Sequence, residues 1–245
     1  VAEAGPDGAA PCDFPATASA PPLNSATHGS QVDVPASTPY VTGMGGTEFA
    51  EGNTVCATQY WSAGAGCTGD QNKPPASDVI SSAISYIPEM AWNDTAVSVA
   101  NNQGLSATGG GASKHYSKPS WQSGTGVPAD NARDVPDISF SSSPNHDGYL
   151  VCSQGSCLNG TFRDSSQNLN AFGGTSVATP AFAAIVALPN QKYGAAQGNM
   201  NAALYKSAAS SPSAFHDITI GDNKVPCTQG TADCPNGGTI GFSAG

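Results

Sequence analysis

Residues 172–188 read FGGTSVATPAFAAIVAL, a glycine-rich turn that runs straight into a long apolar segment with a single serine, Ser176, at the joint. The apolar positions Val177, Phe182, Ile185, Val186 and Leu188 are denser than one stripe of a surface helix requires, so the spacing predicts a buried helix beginning near Ser176. Pro180 falls near its first turn, where a missing N–H costs least, and Pro189 is expected to end or kink it. The small residues Gly173, Gly174 and Thr175 let the backbone approach another chain closely. A serine at a helix N-terminus sits beside free N–H groups and the positive end of the dipole. A tetrahedral oxyanion formed by attack of its oxygen would lie where those donors point. The plain alternative is that Ser176 or Thr175 merely caps the helix. The elbow pattern G-x-S-x-G is not met, because Ala178 stands at the second glycine position.

A chain of 245 residues with 38% hydrophobic residues can bury a proper core, despite 29 Gly and 19 Pro. Charge is sparse and one-sided, with 18 acids against 8 bases and a net charge of −10. That balance argues against nucleic acid and against an anionic membrane surface as partners. It suits work at acid pH, where carboxylates become neutral. No apolar run is long enough to span a membrane. The seven cysteines form no C-x-x-C pair, and no histidine is placed to complete a zinc site. Disulfides in an oxidising, secreted setting are the better reading. Several connectivities are open; pairing of neighbours (Cys56–Cys67, Cys152–Cys157, Cys227–Cys234) is the expectation carried forward, with Cys12 left over. The opening VAEAG resembles the end of a buried strand, and neither a signal peptide nor an initiating Met precedes it. A processed product or a piece of something longer is expected.

Along the chain we expect a short strand at 1–5, and a buried strand in YVTGMGG (40–46) ending in a glycine turn. A loop stapled by Cys56 and Cys67 is expected within 51–80, and a glycine-rich loop with turns at 109–121. A strand should close 133–140, a hairpin should pair DGYLVC with GTFRD, and a second helix should cover 199–209. Short strands interspersed with buried helices favour an α/β domain.

The segment from Gly173 to Leu188 resembles the serine motif of the sedolisins, the serine-carboxyl peptidases with a subtilisin-like fold. VDVPASTPYVTGMGGTEF (32–49), GGGASKHYSKPSWQ (109–122), RDVPDIS (133–139) and AFHDITIGDN (214–223) are similar to sedolisin segments in the same order, and bacterial secreted members are the nearest match. The resemblance runs almost from end to end. It implies a subtilisin-like parallel sheet with flanking helices, incomplete at both ends, and makes residues 1–245 the C-terminal portion of a single peptidase domain. It implies Ser176 as the nucleophile. The family aspartate that helps bind the oxyanion lies in a segment like AAGDSGAA; here EAGPDGAAPCD puts Pro6 at its place in a gapless match and Asp7 one residue later. Asp7 is the candidate for that role, by a local shift. The family glutamate and aspartate of the triad lie on a helix well before that segment, so they are expected on a companion N-terminal fragment. The resemblance further implies a calcium site, with a carboxylate from Asp217, a backbone carbonyl from Ile218 and another from Gly245. The family's last calcium aspartate has no counterpart here, so an incomplete cage is expected.

These expectations converge on a secreted, extracellular endopeptidase acting at acid pH on a peptide or protein substrate. Histidine would be protonated at low pH and unable to take the serine proton, whereas a glutamate stays partly ionised around pH 4. An aspartate in the oxyanion site must be protonated to donate. Among the rivals, His28 in HGS precedes the serine as a subtilisin histidine would and would need Asp7 or Asp13 behind it; a solvated loop histidine is the plainer reading. A structural or assembly protein that kept the fold and lost the triad is the alternative from another class, and a small extracellular binding module a third. The sequons at Asn93 and Asn159 matter only for a eukaryotic secreted protein.

Overall fold

A computed structural model describes residues 1–13, 20–51, 59–62, 83–146, 148–152, 162–168 and 171–244. Its centre is β2 (Gly43–Phe49), six of whose seven residues are buried. Met44 and Thr47 each pair on both sides, so β2 is an interior strand. Along one edge it carries β6 (Ile138–Ser141) in parallel, with Met44 opposite Ile138 and Thr47 opposite Ser141. The other edge is shared: β1 (Ala2–Glu3) runs parallel beside Gly43 and Met44, and β3 (Glu89–Ala91) runs antiparallel beside Thr47 to Phe49. The glycines expected to end this strand lie inside it. A Cβ at Gly45 would come within 2.5 Å of Pro136 Cγ and of Ser139 Oγ, and one at Gly46 within 2.7 Å of Ser142 Cβ. The strand needs glycine there because neighbouring chains press onto it.

The long helix is α2 (Thr175–Tyr193). It lays Ala178 and Phe182 on Met44, with Ile138, Phe140, Val186 and Leu204 packed around them. Phe140 and Phe182 meet edge to face at 5.9 Å. Pro180 and Pro189 both lie inside the helix, which does not end at Pro189; it ends at Gly194, in the left-handed conformation with φ 66°, as a glycine after a helix commonly does. Nor is the helix buried along its length, as was expected. Beyond Phe182, Val186 stays packed on the core, but Ile185 is 47% and Leu188 61% exposed. α3 (Asn201–Ser210) follows as expected; Asn201 accepts a 2.6 Å bond from Thr42 Oγ1 and donates to Val41 O.

Elsewhere the pairing departs from the sequence reading. The stretch after the triple glycine is a strand, β4 (Gly111–Ser117), antiparallel to β5 (Ala132–Val135). The strand expected to close 133–140 is β6; ahead of it lies a further strand, β5, set apart by Pro136 after a cis peptide bond. β7 (Tyr149–Leu150) pairs with β8 (Ala171–Phe172); the expected hairpin partner GTFRD lies in part outside the described residues. A short helix, α1 (Thr95–Ala100), and the pair β9 (Val225–Pro226) and β10 (Thr239–Ile240) complete the described elements. Cys227–Cys234 is a disulfide, Cys12 is free and exposed, and Cys152 is disulfide-bonded; Cys56, Cys67 and Cys157 lie outside the described residues. No helix among the described residues is long and apolar enough to cross a membrane.

RDVPD encloses a fully buried ion pair. Arg133 grips Asp137 with two bonds, 2.8 Å from Nη1 to Oδ1 and 2.5 Å from Nη2 to Oδ2. Gly43 N and Tyr205 Oη donate to the same carboxylate, and the Trp121 ring lies 5.2 Å from the guanidinium. These bonds tie β2, β5 and α3 together under one charge pair. Replacing Asp137 by Ala strands a buried guanidinium, so the variant should lose about 3 kcal/mol or more of stability in urea denaturation, while Asp233→Ala, at an exposed ion pair, should leave the midpoint close to the parent's.

Candidate active site

The serine turn is built by backbone contact. Gly174 N donates to Ser142 O at 2.5 Å, and Ser142 directly follows β6. A Cβ at Gly173 would fall 2.5 Å from Ser142 O and collide with Pro144 N, so only glycine lets the two chains approach this closely. Gly174, at φ 92° and ψ 159°, is the N-cap of α2 and supplies no side-chain cap. Thr175 and Ser176 therefore occupy the first two helical positions, and neither caps the helix. A glycine cap leaves the first-turn N–H groups without the side-chain acceptor that Ser, Thr or Asp would supply. Ser176 is exposed, and its hydroxyl makes no hydrogen bond among the described residues. The site thus combines a free hydroxyl with uncapped amide donors, at the carboxyl edge of the parallel strands.

Asp7 follows β1 on that same edge of the sheet. Its backbone is pinned to a second segment, with Ala107 N donating to Pro6 O and Gly8 N to Ala107 O. Burial, reinforced by Asp33, Asp13 and Glu3, pushes its carboxyl up from 3.8 to about 6. Asp7 Oδ2 is buried and has no hydrogen-bond partner among the described residues; the same holds for Thr175 Oγ1 beside the nucleophile position. Pro6 is exposed.

Asp217 is exposed, and no hydrogen bond or ion pair engages its carboxylate among the described residues; Ile218 is half-buried and Gly245 lies outside them. Ile218 lines a cavity of about 470 Å³ in common with Phe242, Ser243 and Ala244, and Ala244 N donates to Gly221 O. The loop and the C-terminal segment therefore stand together. Of the three expected ligands the described residues hold Asp217 and Ile218, and no cluster of three metal-ligating side chains occurs among the described residues. His28 pairs with Asp13 through Nδ1 at 2.8 Å, its ring side chain 65% exposed; Thr27 N and Oγ1 and His28 N bond the same carboxylate. The group staples one loop to another, and no hydrogen bond joins it to Ser176. His216 stacks on Tyr86, ring centroids 3.4 Å apart.

Sequence reasoning missed one set of residues at this edge. Trp92, Asp94 and Ser143 form a hydrogen-bonded chain behind the serine turn. Only the WND run ahead of α1 hinted at it, because an aspartate at that place reads as an ordinary cap.

The subtilase family model matches residues 24–232. The chain is 32% identical to kumamolisin of Bacillus sp. (strain MN-32) over 200 residues, covering 79% of this chain and 27% of kumamolisin. It is 36% identical to sedolisin of Pseudomonas sp. (strain 101) over 143 residues, covering 58% of this chain and 21% of sedolisin. Among solved structures it matches Pseudomonas sedolisin, a serine-carboxyl proteinase complexed with two molecules of pseudo-iodotyrostatin, with a TM-score of 0.59 and 28% identity, covering 99% of this chain and 48% of that one. The chain thus spans about a quarter of the curated relatives and about half of the solved one.

A carboxyl whose folded pKa lies above its unfolded one holds its proton more tightly when folded. Its contribution to stability is complete below 3.8 and is lost as the pH rises to about 6. Asp7→Asn should therefore flatten the decline of folding stability between those values. Urea denaturation across that range that gives an unchanged slope would contradict the assignment.

Proposed function

Because the chain belongs to the subtilase family and, within it, to the sedolisins, we propose that it is the serine-bearing part of a secreted, acid-acting endopeptidase. The observation that carries this reading is the exposed, unbonded hydroxyl of Ser176 at the second position of a glycine-capped helix. Its oxygen attacks the carbonyl carbon of a peptide bond and its proton passes to a carboxylate base. The developing oxyanion takes hydrogen bonds from first-turn amides of α2. Collapse of the tetrahedral species expels the amine, and water then hydrolyses the acyl-serine.

Asp7 serves the oxyanion as a protonated donor. Its raised pKa keeps the proton on at acid pH, and its partnerless Oδ2 supports a role toward a group from outside the described residues. The base and its aspartate partner come from a companion segment. The outward-facing Ile185 and Leu188 on α2 support such a cover, since contiguous exposed apolar surface is what a partner element buries. The Cys227–Cys234 disulfide supports secretion. Calcium would be held by Asp217, Ile218 and Gly245 only with further oxygens added to them.

In the full-length protein, cleavage of a peptide substrate should peak at about pH 3–5. Ser176→Ala should lower kcat on the order of a million-fold. Residues 1–245 alone, lacking the base, should show no cleavage at any pH, and calcium should not raise their melting temperature by more than about 1 °C. Folded full-length protein that cleaves nothing between about pH 3 and 8 would instead favour a structural role.

A further inference from the structure

Asp94 is the N-cap residue of α1, yet its side chain makes no cap bond. The Thr95 amide is satisfied by Asn93 Oδ1 instead. An aspartate at this position normally accepts from the first helical turn, so some other group has claimed this carboxylate. Two groups have, and both donate to a single oxygen. Trp92 Nε1 lies 2.6 Å and Ser143 Oγ 2.7 Å from Asp94 Oδ2. Trp92 is itself immobilised: it is 1% exposed, its N donates to Gly46 O, and its O accepts from Thr108 N. It holds the carboxylate at a fixed place against the central strand.

Having donated to Asp94, the Ser143 hydroxyl accepts with its lone pairs from Asn145 N at 3.2 Å and His146 N at 3.0 Å. Those two bonds shape the turn that carries Pro144. Ser142 and Pro144, on either side of Ser143, are the surface on which Gly173 and Gly174 rest. A continuous path of short contacts therefore runs from β2 through Trp92, Asp94 and Ser143 to the turn that aims Ser176. Trp92, Ser142 and Ser143 are almost completely buried, which keeps solvent from the middle of this path.

We propose that Asp94 is a positioning residue for the nucleophile: with Trp92 behind it and Ser143 before it, it sets the turn against which Gly173 and Gly174 seat Ser176. The inference rests on the peptidase reading for its effect on turnover, but its structural half stands apart from it. Asp94 touches neither substrate nor reacting atoms; it acts through the placement of one hydroxyl, and small misplacements of a nucleophile are costly to turnover.

The test uses the full-length protein and the variants Ser143→Ala, Asp94→Ala and Asp94→Asn. Both bonds meet one oxygen of Asp94, so Asn can accept both and should rescue. Ser143→Ala and Asp94→Ala should lower kcat for a peptide substrate by about ten-fold or more, with KM within about two-fold, while Asp94→Asn stays near the parent. Independently of turnover, amide hydrogen exchange in 172–178 should quicken in the two alanine variants, with exchange in β2 unchanged. A general loss of structure would quicken both and would overturn the proposal, as would protection of 172–178 equal to that of the parent. If the parent protein cleaves no peptide, the peptidase reading fails alone, and the exchange pattern still decides whether Asp94 and Ser143 set the turn.

Discussion

The rest of the site depends on one place where two backbones touch without side chains between them. Gly173 lies on Ser142 and Pro144 with no space for a Cβ, and Gly174, in the glycine-favouring backbone region at φ 92°, donates from its N to Ser142 O. That contact turns the chain from β8 into α2 within two residues and fixes where the helix begins. Because β6 ends immediately before Ser142, the helix begins at the carboxyl edge of the sheet. β6 is held in turn by β2, whose own glycines let Pro136, Ser139 and Trp92 close in. The position of Ser176 follows from a succession of glycines, two of them, Gly173 and Gly174, inside the serine motif itself.

Charge is handled differently on the two sides of this framework. The Arg133–Asp137 pair is sealed from solvent and bonded through both guanidinium Nη atoms; it holds elements in register. The carboxyls of Asp7, Asp33 and Glu48 lie near the strand ends, and burial pushes each of them upward. Each favours the folded state more as the solution becomes acid. Asp13 runs the other way: its bonds from His28 and Thr27, which outweigh its own burial, hold it below the usual range. Acidification thus relieves buried negative charge near the serine edge before it reaches the staple at Asp13.

Much of this was legible in the sequence, and the failures have physical causes. The serine turn announced itself because glycine pairs ahead of an apolar run have few other uses, and α3 followed from its helix formers. The Cys227–Cys234 bridge followed from proximity. Gly45 and Gly46 misled because a glycine in a strand is indistinguishable in sequence from one that ends it; only the approach of Pro136 and Ser142 decides. Tyr149–Leu150 found its partner some twenty residues further on, beyond any hairpin rule. Asp94 went unremarked because the claim of Ser143 on its carboxylate comes from a residue 49 positions away. The burial of α2 was overstated because composition counts apolar residues without saying which neighbours exist to cover them.

That uneven burial makes the helix a lever. α2 is a rod about 28 Å long, gripped by the sheet at Ala178 and Phe182 and bare at Ile185 and Leu188. Phe182 stands midway, about 9 Å along the axis from Ser176 and as far from Leu188. Pro180 stands between Phe182 and Ser176 and softens the rod there, so whatever rests on Leu188 reaches the serine damped rather than in full. The aim of the nucleophile is thereby tied to contacts made at the far end of the helix, and a substitution at that end can register as a change in reactivity rather than in fold.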